Sequence, residues 1–540
     1  MGPYIDGHLL SWLIFMPGLT VLSLLLVNGL FRAFFGSQGM PGEVWRALAL
    51  SSTSLTAALG WGGLLGEFDP EYLGMQIIEH ADWMPGVGLN YFVALDGISL
   101  PLVLGVITAV PLILLASWNQ VLDSLRSFVF YVLALETAAL GVLLSWNILL
   151  FHIFWQLCLV LVFFLIGTWG GRRSVRAATR FLLLTGLGSF CMGLAILIMA
   201  QFHVDSLGLP NLDLLATPWN PAPGLLEVPV MVPHGDAVWW QGDMGLFLGF
   251  TAAFATLIPL APLHFWLPAA QRQTAGAGRA LLPILLLPLG PYGFLRLAFP
   301  LFPDAAVAAG PVIQAIAAAG ILYAVVLAAL QSDLVRRLAY VSVAQLSLVV
   351  VGIFSLTESG WVGATVGTLS HGLTAVGLVL IVGFLFDRRT TFDIQAYGGL
   401  ARPMPVLATL FALTLASSMG LPMLSGFVGE ILILSGVAQG NPVILVACLV
   451  GIVGLAILLF VSYQRVAFGP MRVPENRGLI DIGLRERAVL LVLIVPMLWI
   501  GLYPNPLLRR VEPSVLEMMR YVDERKMELP ALEIRPEVTP

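Results

Sequence analysis

The chain has 540 residues, of which 59% are hydrophobic and only 11% are charged. A soluble domain carries about a quarter charged residues, so the composition excludes a water-soluble globular protein. The net charge of -5 gives no sign of nucleic-acid binding. A membrane helix needs about 20 apolar residues, and this length leaves room for a dozen or more. The sequence therefore predicts an all-α polytopic membrane protein whose partners are lipid and other membrane chains.

Apolar runs divide the chain into about fourteen predicted membrane spans. The first run has no cleavage-site pattern and is as long as the others, so we interpret it as a retained helix. The runs fall near residues 9–30, 46–66, 97–117, 128–145, 147–168, 180–201, 246–270, 279–300, 307–330, 337–354, 362–385, 405–434, 441–468 and 487–504.

Basic residues lie almost entirely on the loops that follow odd-numbered helices, which predicts that these loops are cytoplasmic. The residues are Arg32, Arg46, Arg126, Arg172, Arg173, Arg176, Arg272, Arg279, Arg336, Arg337, Arg388, Arg389, Arg402 and those from Arg472 to Arg487. Loops 67–95 and 203–243 contain acids and no Lys or Arg. We expect a bacterial-type energy-transducing inner membrane, with both termini on the external, periplasmic side. The polar tail from Arg509 is expected to be solvated, with a docking role as the alternative.

Two predicted spans contain helix breakers at membrane depth. Span seven carries Pro259, Pro262 and Pro268, and span twelve carries Gly420 and Pro422 close to Gly426. Interrupted helices at matching places in two halves are typical of inverted-repeat transporters, although proline kinks used for packing are the alternative. We predict helices one to three with an external loop (1–125), a first repeat of helices four to eight (126–300), a second of helices nine to thirteen (301–470), and helix fourteen with the tail (471–540).

Polar groups inside predicted spans each need a reason, because an acid at a helix centre costs about 2.5 to 3.5 kcal/mol. Glu430 and His264 stand near the two breaks, and a titrating role for Glu430 is favoured over a structural one. Glu136 could instead form a hydrogen bond between helices, and His152 and His371 could be ordinary packing histidines. Asp333 with Arg336 and Arg337 is expected to be a structural pair at a helix end.

Eight segments, in matching order, resemble the M-type antiporter-like membrane subunits of respiratory complex I, the proton-translocating NADH:quinone oxidoreductases. They are "LDGISLPLVL", "PLHFWLP", "GPYGFLRL", "FPLFP", "QSDLVRRLAYVSV", "LSHGL", "DIQAYGGLARPMP" and "GLPMLSGFVGEILIL". The resemblance implies fourteen helices in two inverted five-helix repeats, with helices seven and twelve broken. The wider family includes Mrp-type cation/proton antiporters, membrane-bound hydrogenases and inorganic-carbon uptake complexes.

The family's proton path implies a glutamate on helix five, lysines on helices seven and eight, and an acid or lysine on helix twelve. In this chain the first three positions are occupied by Gln156, Leu257 and Pro288, and only Glu430 is retained. Two further family positions read Gln271 and Gln345. All basic residues except Lys526 are arginines, which stay protonated throughout any cycle.

These substitutions predict a proton-inactive, structural membrane-arm subunit of a complex I-like assembly. One rival is a working proton or cation antiporter subunit with a path rerouted through Glu430 and Glu136, with His152, His264 and His371 as further carriers. Another is the membrane partner in an inorganic-carbon uptake complex or another chemolithotrophic redox complex. No catalytic, metal or cofactor-binding residue is expected, because Cys158, Cys191 and Cys448 lack metal or disulfide spacing and no nucleotide-binding loop is present.

Overall fold

The computed structural model describes residues 7–35, 39–120, 124–208, 210–227, 242–471 and 473–532, and is nearly all helical. The predicted Arg472, part of loop 203–243 and the last eight residues lie outside the described residues. We number the elements of the first 301 residues as α1 to α9 with a hairpin of β1 and β2. Their bounds are α1 Leu9–Phe35, α2 Gly42–Glu67, β1 Gln76–Met84, β2 Leu89–Leu95, α3 Ser99–Ala116, α4 Leu125–Leu144, α5 Ile148–Trp169, α6 Ser174–Leu207, α7 Asp243–Leu257, α8 Trp266–Gln273 and α9 Gly276–Leu301.

The remaining elements run from α10 to α17. They are α10 Pro303–Leu330, α11 Leu334–Ile353, α12 Glu358–Arg389, α13 Pro405–Ser418, α14 Ser425–Ala438, α15 Pro442–Ala467, α16 Leu484–Leu502 and α17 Asn505–Leu532. Eleven described helices are long and apolar enough to cross a membrane, or twelve when the bent pair α16 and α17 counts as one span. Three shorter apolar helices, α7, α13 and α14, lie beside the two breaks. A polytopic membrane fold is confirmed, whereas the number fourteen stays a prediction.

The helices break where the prolines and glycines predicted. The chain leaves helical geometry after Leu257 and resumes a longer helix at Trp266, and it does so again between Ser418 and Ser425. In the first break, Pro259 and Pro262 have no backbone N–H with which to continue the helical hydrogen bonds. In the second, Gly420 takes a left-handed conformation with φ +68°, which a residue without a Cβ adopts readily.

The two ends of the bundle carry different charges. The end that we name the hairpin face holds β1, β2 and the described part of loop 203–243. The Asn90 amide of β2 donates to the Asp213 carboxylate of this loop at 2.9 Å, and the Ile148 N–H of α5 donates to the Leu212 carbonyl. The opposite end, the arginine face, holds ion pairs such as Arg272–Asp333 and Arg388–Glu486. The Asp333 carboxylate therefore forms its ion pair with Arg272, while within the predicted set it caps α11 by accepting the backbone N–H of Arg336 at 3.1 Å. Which face is cytoplasmic stays a prediction.

The hairpin is the feature of the fold that the apolar pattern did not predict. β1 and β2 pair antiparallel with His80 opposite Phe92, and β2 is almost wholly buried. On β1, the Glu79 carboxylate accepts hydrogen bonds from the backbone N–H groups of Leu10 and Ser11. A carboxylate at a helix N-terminus is stabilising because it satisfies unpaired N–H groups and opposes the helix dipole. The hairpin therefore anchors the start of α1.

The expectation of a solvated C-terminal tail is wrong for the described side chains. After α16 the chain bends by 73° into α17, which packs against α10 and α12. Val511 and Val515 of α17 are fully buried, and the Ser514 hydroxyl accepts a hydrogen bond from the Gly97 N–H at 2.8 Å. The few apolar residues of this polar segment recur at helical spacing, so they form one apolar stripe that can dock while the rest stays exposed.

Helices differ sharply in how much apolar surface they leave uncovered. Nearly every residue of α9 and α12 is buried, so these two helices form the centre of the bundle. In contrast, α6 exposes Leu183 and Leu187, and α15 exposes Val443 and Val450. Exposed apolar faces of this size are stable only against lipid or another membrane chain.

Candidate functional site

Glu430 lies beside the second break. The residue is on α14 and is partly buried, and its carboxylate rests directly against Gly420. A Cβ at residue 420 would lie 1.9 Å from Glu430 Oε2, so only glycine leaves room for the carboxylate there. The break in the helix therefore also creates the space that the Glu430 carboxylate occupies.

A hydrogen-bonded chain connects three helices of the second half. His371 Nδ1 on α12 lies 3.0 Å from Gln345 Oε1 on α11. Gln345 Nε2 in turn donates to the carbonyl and the hydroxyl of Ser418, at 2.9 and 3.1 Å. Ser418 ends α13, two residues before Gly420, so this series of hydrogen bonds reaches the break beside which Glu430 lies. The structure brings three predicted residues, His371, Gln345 and Glu430, into one region.

His264 stands at the first break, with aromatic neighbours in place of charged ones. Its ring centroid lies 5.3 Å from that of Tyr323 and 5.9 Å from that of Tyr340, and the residue is buried. His264 Nδ1 has no hydrogen-bond partner within the part of the chain that the structure describes. Tyr340 belongs to α11, as does Gln345, but no described hydrogen bond joins His264 to the chain of the second half.

The helix-five position forms a short, isolated pair. Gln156 Nε2 lies 3.2 Å from His152 Nε2, one helical turn earlier on α5. The same imidazole packs against Gly193 of α6. His152 Nδ1 is buried and has no partner in the described residues. An amide beside an imidazole cannot replace a carboxylate as a proton acceptor, because the amide does not titrate.

Glu136 is the most isolated of the predicted groups. It is fully buried on α4, and neither carboxylate oxygen has a hydrogen-bond partner among the described side chains and backbone groups. The expected hydrogen bond between helices is therefore not observed. Nor does Glu136 contact Glu430 through any described hydrogen bond, so the structure does not join the two acids of the rerouted path.

Aromatic side chains pack near the two positions, Leu257 and Pro288, at which the resemblance implies lysines. Leu257 ends α7 and is 1% exposed, while Pro288 is buried within α9 between two π-helical turns. Gly290 of α9 packs on Ile258, where an added Cβ would lie 2.4 Å from Ile258 Cγ1. The aromatic cluster of this region consists of Trp155, Phe250, Phe254, Phe294 and Phe302, whose neighbouring ring centroids are 5.4 to 6.0 Å apart. This packing gives the region an apolar interior.

Gln271, at the position where the resemblance implies a histidine, is isolated as well. It is 1% exposed on α8, and neither its amide nitrogen nor its amide oxygen has a partner in the described parts of the chain. A buried amide without hydrogen bonds destabilises the fold, in contrast to Gln345 with its three bonds.

The sequence analysis missed a buried ion pair at the hairpin face. Arg296 is fully buried, and its guanidinium pairs with the Asp96 carboxylate. Arg296 Nε donates to the Tyr292 hydroxyl at 3.3 Å, and its guanidinium carbon lies 4.2 Å from the Trp146 ring centroid. Both charges fall within segments quoted for the family resemblance, "LDGISLPLVL" and "GPYGFLRL". An acid and an arginine in otherwise apolar motifs were a usable signal, because each requires a partner in the membrane.

A second polar network joins the loops of the hairpin face and centres on Asp213. Burial by itself would raise the pKa of this carboxyl, but hydrogen bonds outweigh burial and hold its pKa below the ordinary value. The donors are His80, Asn147, Asn90 and Asn220. Asp213 lies outside the spanning helices, so its role is to fasten loop 203–243 to the hairpin and to the start of α5.

Comparison with known proteins gives the family. Residues 145–456 match the family described as NADH:quinone oxidoreductase/Mrp antiporter, TM. The chain is 33% identical to NADH-quinone oxidoreductase subunit M of Rhodobacter capsulatus, over 95% of this chain and 96% of that one. It is also 33% identical to NADH-ubiquinone oxidoreductase chain 4 of Arabidopsis thaliana, over 84% and 88%.

Solved structures agree over the whole bundle. A chain of respiratory complex I from Thermus thermophilus superposes with a TM-score of 0.81 at 25% identity, covering 95% of this chain and 99% of that one. A chain of the Mrp complex from Dietzia sp. DQ12-45-1b gives a TM-score of 0.77 at 16% identity, covering 96% and 100%, and so shares the fold. The chain therefore belongs to the NADH:quinone oxidoreductase/Mrp antiporter transmembrane family.

Proposed function

We propose that this chain is a membrane-arm subunit of a complex I-like assembly and that its own channel does not translocate protons. The relatives named as subunit M and chain 4 of such oxidoreductases support the first part. One observation carries the second part: Leu257 and Pro288 lie in an apolar, aromatic interior with no titratable side chain at either position. Proton transfer needs groups of intermediate pKa within hydrogen-bonded or water-bridged reach.

The proposed role is that of a platform for neighbouring membrane subunits. Two separate helices, α6 and α15, present exposed apolar faces that lipid or other chains can cover. Charged groups at the hairpin face are instead paired within the chain, as with Arg296–Asp96 and the Asp213 network. The exposed faces of α6 and α15 are thus the surfaces available for assembly.

Replacing Glu430 tests the proposal in the intact assembly. The parent complex carrying Glu430→Gln, reconstituted in liposomes with a pH-sensitive dye, should pump protons at the unmodified rate. Deleting the chain should instead prevent assembly of its neighbours. A parent complex that assembles and works fully without the chain would contradict the platform role.

A second candidate function is proton transfer along a rerouted path. The hydrogen bonds that run from His371 through Gln345 to Ser418, at the break beside Glu430, favour it, because they link three helices and lead from one titratable group toward another. In that case Glu430→Gln would abolish pumping in the liposome assay. A matched Glu136→Gln variant then reports whether the isolated acid of the first half also takes part.

We also propose that the arginine face is cytoplasmic and that both termini are periplasmic. The distribution of arginines between the two faces supports this orientation. Labelling of single cysteines at Arg477 and Asp82 with an impermeant maleimide in intact cells tests it. We expect labelling at residue 82 and none at residue 477, and the reverse pattern would invert the topology.

A further inference from the structure

A cavity of about 780 Å³ opens at the arginine face. It lies where membrane helices begin or end, since α5 ends at Trp169, α9 begins at Gly276, α12 ends at Arg389 and α16 begins at Leu484. Its charged lining consists of Arg272, Arg279, Arg388, Arg485, Asp387 and Glu486. We name it the arginine cavity. Four positive and two negative side chains give the lining a positive excess.

Internal pairing accounts for only part of this charge. Arg272 binds Asp333 at 2.5 Å, and Arg388 binds Glu486 at 2.7 Å. The Asp387 carboxylate accepts a hydrogen bond from the amide of Gln120. Neither Arg279 nor Arg485 forms an ion pair within the described part of the chain, so the excess charge is concentrated on these two residues.

Arg279 is held in place with one nitrogen uncommitted. The residue is 4% exposed, and its Nε and Nη2 both donate to the Thr274 carbonyl, at 3.2 and 2.9 Å. Its Nη1 is buried without a hydrogen-bond partner, as is Nε of Arg485, counting all described residues. A buried guanidinium N–H without an acceptor is costly, and an oxyanion in the cavity would satisfy it.

A shared aromatic ring holds two of the positive charges close together. The guanidinium carbons of Arg272 and Arg279 lie 4.5 and 4.7 Å from the centroid of the Phe392 ring. The ring stabilises each cation, but the two cations repel each other. An anion placed between them would turn this repulsion into two favourable contacts.

We propose that the arginine cavity binds a phosphate group, with Arg279 and Arg485 as its principal ligands. Phosphate matches because its several oxygens accept from the forked donors of more than one arginine. The cavity lies at the ends of the membrane helices beside Trp169, where lipid headgroups reside, and it also opens to water. The phosphate group can therefore belong to an anionic phospholipid or to orthophosphate.

The full-length chain in phosphatidylcholine nanodiscs allows a direct test by thermal unfolding. One arm adds phosphatidylglycerol to the bilayer, and the other adds sodium phosphate against sodium chloride at equal ionic strength. Each arm is repeated with Arg279→Gln, Arg485→Gln and the control Arg477→Gln, an exposed arginine on the same face. We expect a saturable rise in Tm, and about a tenfold or greater loss of affinity in both cavity variants but not in the control.

The two arms also identify the source of the phosphate. A rise with phosphatidylglycerol alone assigns a lipid headgroup, a rise with phosphate alone assigns the free anion, and a rise with both assigns the shared group. No rise in either arm would overturn the proposal, as would a rise that persists unchanged in the cavity variants. If Arg279→Gln fails to fold, the partly exposed Arg485 decides the outcome.

Discussion

The two interrupted helices have very different surroundings. At the first break, Leu257 and Pro288 are buried, Trp155 packs on Phe254, and His264 packs against the rings of Tyr323 and Tyr340. At the second break, Glu430 rests on Gly420, and a chain of amide, imidazole and hydroxyl groups leads up to it. Both halves therefore contain an interrupted helix, but the side chains around the first break are apolar and those around the second are polar.

This contrast shows that a helix can be interrupted without titratable side chains at the break. Prolines and glycine interrupt the helices by removing hydrogen bonds or admitting a left-handed residue, and neither effect needs a nearby charge. A proton path, in contrast, needs titratable side chains within hydrogen-bonded or water-bridged reach of one another. The first half has the interruption, while Leu257 and Pro288 stand at the two positions where the resemblance implies lysines.

A lysine introduced at residue 257 in the apolar half should produce the largest loss of stability. We expect Leu257→Lys to destabilise the protein by about 3 to 5 kcal/mol, because the new amine enters an apolar interior without a partner. Thermal unfolding in detergent measures the change, with Leu330→Lys at an exposed helix end as the control. An unchanged Tm for Leu257→Lys would mean that water reaches the interior of the first half.

Two interior glutamines, the buried Gln271 and the half-buried Gln345, offer a comparison of the halves. Gln345→Leu removes the partners of His371 and Ser418 and should cost about 2 to 4 kcal/mol. Gln271→Leu removes an amide without hydrogen bonds and should be neutral or stabilising. Equal effects of the two substitutions on Tm would show that the polar chain does not distinguish the halves.

Gly420 should be sensitive because of both its backbone and its neighbour. We expect Gly420→Ala to cost about 1 to 3 kcal/mol, since alanine is strained at φ +68° and its methyl group would displace the Glu430 carboxylate. Gly383→Ala, where a Cβ would meet nothing within 4 Å, is the control and should be neutral or slightly stabilising. Similar Tm values for the two variants would contradict the claim that glycine at residue 420 is needed to accommodate the Glu430 carboxylate.

The smallest expected effect concerns the polar network around Asp213, which lies outside the apolar interior of the first half. The folded-state pKa of Asp213 lies below its unfolded value, so its stabilisation is present at neutral pH and is lost as pH falls through the folded pKa. The Tm difference between wild type and Asp213→Asn should therefore shrink below about pH 4. An exposed control, Asp82→Asn, should show no such trend. A constant difference for Asp213→Asn would mean that its carboxylate form does not stabilise the loops.

Much of the helical architecture could be predicted from the sequence. Long apolar runs leave little choice in a bilayer, where each backbone polar group must be bonded within its own segment. The breaks at Pro259 and Gly420 were also predictable, because the local backbone determines them. The β1–β2 hairpin and the docking of α17 were not, because both depend on contacts with distant residues such as Leu10 and Gly97.

The candidate site was predictable as a set of residues but not as an arrangement. The identities of Gln156, Leu257 and Pro288 were enough to suggest an interrupted path. The pairing of His371 with Gln345, and the isolation of Glu136 and Gln271, required coordinates. Arg296 and Asp96 are 200 positions apart in the chain, and no local pattern could show that they meet.

The sequence by itself determined that this protein lies in a membrane and where its helices break, because hydropathy and backbone geometry are local properties. Only the tertiary structure decided which polar groups of the described residues find partners, which stay isolated, and where four arginines line a cavity. The physical reason is that a buried polar or charged group is stabilised or penalised by atoms brought to it from other helices.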